Sequence, residues 1–85
     1  MFSGLGKIKF DGLMRIVDSI TKDDMNMCIN IWYKDNSGIM RQLRQIDFDN
    51  QEACNKAFEI IWTNLSAYGY CDLDRINRKT GLVMR

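Results

Sequence analysis

Carboxylates are the first residues whose spacing could do chemistry. Asp72 and Asp74 stand two apart, which on a strand puts both on one face, and Asp23 and Asp24 with Asp35 form the other acidic grouping. Neither follows the calcium-loop pattern, because its glycine and closing glutamate are missing. Charge pairs in loops or at strand edges are the expected use. Histidine is absent, which removes the usual general base, the commonest metal ligand and any Ser/His or Cys/His nucleophile pair. Cys28, Cys54 and Cys71 are odd in number and far apart, so they make neither a complete disulfide framework nor a CxxC half-site. They read as reduced, mostly buried thiols. Gly4-Leu5-Gly6 lacks the preceding strand and third glycine of a phosphate-binding loop, and reads as part of a flexible terminus over residues 1–6. No catalytic residue, metal site or cofactor is predicted, and the chain is expected not to be an enzyme.

Binding chemistry is better represented. Arg75, Arg78, Lys79 and Arg85 give the C-terminus a basic surplus. They are the candidate phosphate contacts of a small nucleic-acid-binding domain, although no RNP-like aromatic motif accompanies them. The leading candidate lies on a hairpin. Pairing Tyr33 with Met40 sets Trp32 opposite Arg41 and Asn30 opposite Leu43, with Ile39 nearby. One sheet face then carries Trp, Arg and two aliphatic residues. Trp and Arg are enriched at binding hot spots, and Arg over an indole gains a cation–π contact. A cover from elsewhere in the chain would instead make this face a second small core.

The elements that must position these residues are clearest between residues 25 and 65. Met25, Met27, Ile29, Ile31 and Tyr33 alternate with Asn26, Cys28, Asn30 and Trp32, the period of a strand with one buried face. Lys34 to Gly38 supplies a turn, and Ile39 to Phe48 returns as a second strand. Pairing Tyr33 with Ile39 would exchange the faces of that strand. The Met40 register buries more and strands fewer charges, so it is preferred. Asp49 is the expected N-cap of the following helix, with Glu52 three residues on and Phe48 able to pack on Ala53. Cys54, Ala57, Phe58, Ile61 and Leu65 make that helix's apolar face. This strand–turn–strand–helix pattern is similar to that of many small bacterial and phage-encoded accessory domains and names no single family.

Residues 12–21 fit two elements. Leu13, Ile16, Val17 and Ile20 have helical spacing, which after a Lys7–Phe10 strand gives the ferredoxin-like order β-α-β-β-α-β. Alternation fits a strand, which Gly12 and the shortness of the stretch favour. The expected fold is therefore α+β: a three-stranded antiparallel meander plus a C-terminal hairpin over residues 70–85, packed on one main amphipathic helix. The hairpin turn is placed at Asn77 to Gly81.

At 85 residues and 46% hydrophobic content the chain has the size and composition of a single small globular domain. A net charge of +1 gives no strong field toward nucleic acid. No apolar run approaches the roughly 20 residues that span a bilayer, and Met1 to Phe10 has no secretory signal, so a cytoplasmic location and no membrane contact are expected. The functional expectation is a non-catalytic protein–protein interaction module. It would be a small adaptor or inhibitor, of the phage- or mobile-element type of accessory protein, binding a protein partner or a second copy of itself through a sheet surface or edge.

Overall fold

Two glycine-assisted turns and one short kink organise the N-terminal half. The computed structural model describes residues 5–80, with side chains described as far as Ile76. β1 (Gly6–Phe10) turns through Asp11 and Gly12 into β2 (Leu13–Val17), and after Asp18 the chain continues as β3 (Ser19–Asp23). β4 (Cys28–Lys34) and β5 (Met40–Asp47) form the central hairpin, followed by α1 (Gln51–Tyr68), the short β6 (Tyr70–Asp72) and α2 (Leu73–Thr80). Two three-stranded sheets result, ordered β2-β1-β6 and β3-β4-β5. The second is the antiparallel meander, while the first is mixed, because β6 runs parallel to β1. The fold is α+β, and residues 13–17 and 19–23 are strands rather than a helix.

Asp18 is the corner between the sheets. Val17 ends the β1–β2 ladder opposite Gly6, and the Asp18 amide donates to the Trp32 carbonyl at 2.8 Å, starting the β3–β4 ladder. Successive residues of a strand direct their backbone groups to opposite edges, so one nearly continuous strand serves β1 on one side and β4 on the other. Ile8 and Val17 from the first sheet meet Ile20, Ile29, Ile31 and Ile46 from the second, and Ala57, Ile61 and Leu65 of α1 close the core. Fully burying an aliphatic side chain of this size contributes about 1.5–3 kcal/mol.

Four expectations are corrected by this arrangement. The α1 cap is Asn50, not Asp49: the Asn50 side chain accepts from the Ala53 amide at 2.8 Å. Leu5 and Gly6 are not part of a flexible terminus. The Leu5 amide donates to the Val17 carbonyl at 3.0 Å, and a Cβ at Gly6 would stand 2.6 Å from the Gly69 carbonyl oxygen, so only glycine allows this approach. The closing hairpin is replaced by β6 and α2 through residue 80; Gly81 to Arg85 lie outside the described residues. Asp72 explains the difference, since its carboxylate accepts from the Arg75 amide at 3.1 Å and so caps a helix whose Leu73 and Ile76 pack on the core. The β4–β5 register also differs from both expected ones. Ile29 pairs with Ile46 and Ile31 with Arg44, but Trp32 pairs with Gln42 and Tyr33 with Arg41, leaving Leu43 as a bulged residue.

Candidate interaction edge

The bulge redistributes the residues expected to form one binding face. Trp32 and Asn30 remain together on the outer face of the β3-β4-β5 sheet. There the indole N–H donates to the Thr21 hydroxyl at 2.9 Å, and the Gln42 amide donates to the Asn30 side-chain oxygen at 2.8 Å. Gln45 donates onward to Asp47 at 2.9 Å, so polar side chains bonded to one another run across this face. Arg41 lies opposite Tyr33 instead of Trp32, and its guanidinium bonds Asp35 at 2.6 Å. That guanidinium, aided by the Ile39 amide, holds the Asp35 carboxyl below its usual value. Ile39 is exposed in the turn, and Leu43 leans onto the core instead of standing opposite Asn30.

The alternative basic set is spread along α2. Arg75 is exposed beside a depression of about 430 Å³ between the two helices, lined also by Tyr68, Tyr70 and Ile76. Arg78 and Lys79 belong to α2, but their side chains, like Arg85, lie outside what the structure describes. The acidic pair is divided between structural tasks. Asp72 caps α2, and Asp74 accepts from the Asp11 and Gly12 amides at 2.8 and 3.1 Å, tying α2 to the β1–β2 turn.

All three thiols are buried and free of disulfides. Burial raises the pKa of Cys28 and Cys54, and pushes Cys71 up to about 11 against a hydrogen bond from Asn64. Such thiols are poor nucleophiles near neutrality. Among the described residues no group of three His, Cys, Asp or Glu side chains could hold a metal ion, and no helix is long and apolar enough to cross a membrane.

The feature that sequence reasoning passed over is β2. It is an edge strand, bonded on one side to β1 alone. Lys7 donates to Gly69 toward β6, so the alternation along β1 turns Gly6, Ile8 and Phe10 toward β2 and bonds them to Val17, Arg15 and Leu13. The backbone N–H and C=O groups of Met14 and Ile16 are thereby directed to the free edge. Their side chains are exposed as well: Leu13 by 53%, Met14 by 51% and Ile16 by 57%. Along this edge runs a groove of about 710 Å³, whose far wall is Tyr33, Lys34 and Asp35 from the end of β4 and the following turn, with Leu43 beneath. A visible sequence signal existed: Leu13-Met14-Arg15-Ile16-Val17 is an apolar run interrupted by one charge, unlike the alternating central strands. The chain matches no known protein-family model, no curated protein and no solved structure.

Proposed function

We propose that this chain is a non-catalytic protein-interaction module that accepts an extended segment of a partner as an added strand on β2. The supporting observation is the combination, on one unpaired edge, of outward backbone groups at Met14 and Ile16 with three large apolar side chains more than half exposed. An edge of this kind offers main-chain hydrogen bonds for affinity and alternate side-chain positions for specificity. Leu43 contributes to this site from the floor of the groove, whereas Trp32 and Asn30 serve the sheet's outer face and Arg41 the turn.

Proline provides a selective test. At Ile16 it removes an N–H that β1 does not use, and edge positions of this type tolerate it. Peptides selected from a displayed random library on the native protein are expected to shift the Met14 and Ile16 amide resonances and to lose binding to a folded Ile16→Pro variant. Selected peptides that bind Ile16→Pro equally well, or that map to the Trp32 face or the groove between the helices, refute the proposal.

A further inference from the structure

We infer that the incoming segment is acidic, with a carboxylate facing Arg15 between two apolar residues that lie beside Met14 and Ile16; this rests on the strand-addition reading above. Positive charge is left over along this edge once the internal pairs are counted. Asp35, in the far wall of the groove, is engaged by Arg41 at 2.6 Å, and Asp11 at the end of the β1–β2 turn by Arg44 at 2.9 Å. Lys9 has Asp72 as its cross-strand neighbour. Arg15 and Lys34, which line the groove together with Asp18 and the Arg41-engaged Asp35, and Lys7 beside Ile16 on the adjoining strand, make no ion pair among the described residues. An occupant of the edge thus meets a positive surface.

The same charges disfavour a second copy of the chain. A two-fold antiparallel β2–β2 pair that bonds Met14 of one copy to Ile16 of the other is centred on Arg15, and sets the two guanidinium groups directly opposite each other. Like charges in that position are destabilising. A carboxylate in the same position makes the favourable cross-strand pair, and the flanking apolar residues of an alternating segment continue the Met14 and Ile16 rows.

Three peptides of the form Ser-Val-X-Val-X-Val-Ser, with X as Glu, Gln or Lys, separate the possibilities when titrated into the native protein and followed at the Met14 and Ile16 amides. The Glu peptide is expected to bind on the order of tenfold more tightly than the Lys peptide, with Gln between, from cross-strand charge pairs in an exposed setting. The preference should shrink in Arg15→Gln and at high salt. Lys or Gln peptides that bind as well as Glu at these amides overturn the acidic partner and leave strand addition standing. Failure of all three peptides to move these amides overturns both, and concentration-dependent shifts there without peptide replace the partner by a second copy.

Discussion

Asp35 organises the β4–β5 turn: its carboxylate accepts from the Ser37 and Ile39 amides, each at 2.9 Å, and from Arg41 at 2.6 Å. All three favour the ionised form, led by Arg41, so the folded pKa falls below the ordinary 3.8. The stabilisation is therefore complete above that value and is lost as pH falls through the lower folded one. In acid titration the Ser37 and Ile39 amide resonances should move together with a midpoint below 3.8, and Arg41→Gln should bring the midpoint back toward it. Independent midpoints, or no change in Arg41→Gln, would remove Arg41 from this role. The turn itself was legible from Lys34 to Gly38, but the pairing of Arg41 with Asp35 was not. Pleat alternation assigns side chains to faces only along an unbroken ladder, and one bulged residue, Leu43, reverses the alternation for everything between it and the turn. The helix cap failed by a single position for a related reason. Asp49 and Asn50 are both good caps, and only the backbone of Asn50, at φ −151° and ψ 165°, shows which one leaves the helix.

Among the elements, α1 was the most legible, because Cys54, Ala57, Ile61 and Leu65 repeat at helical spacing and are all buried. The least legible is α2, because Asn77 to Gly81 has the composition of a turn and the Leu73–Ile76 spacing is too short to establish a period. Its anchor is tertiary: Asp74 reaches back across more than sixty positions to the Asp11 and Gly12 amides, holding a turn in which both residues have positive φ. Non-glycine residues such as Asp11 adopt that conformation only with local support. Asp74→Ala should lower unfolding free energy by about 1–2 kcal/mol, the range for hydrogen bonds to a charged acceptor reduced for partial exposure. Urea denaturation measures the loss, and faster hydrogen exchange confined at first to Asp11 and Gly12 should accompany it. An unchanged midpoint would show that the β1–β2 turn holds itself and that α2 is only docked on it.

At the scale of the molecule, two small sheets joined at Asp18 leave four strand edges, and the chain treats them unequally. β6 is only three residues long, β5 carries the Leu43 bulge and a polar sequence, and β3 has exposed Thr21 and Lys22 following buried Ile20. Short, bulged and charged edges resist pairing with other chains. β2 has none of these protections except Arg15. The single guanidinium in an otherwise apolar strand would stand opposite its own copy in the register that satisfies Met14 and Ile16, and is expected on that ground to keep like edges apart. This role makes a prediction about assembly rather than about folding, because Arg15 is exposed and contributes no internal ion pair among the described residues. The native protein should elute as a monomer when size-exclusion chromatography is combined with light scattering, and Arg15→Val, which completes an apolar edge, should elute as a dimer or larger species with the native circular dichroism spectrum retained. If Arg15→Val remains monomeric at the same concentration, the edge is closed by geometry, with the Tyr33–Asp35 wall too near for another sheet to enter. If the native protein is itself dimeric through Met14 and Ile16, Arg15 does not separate the edges at all.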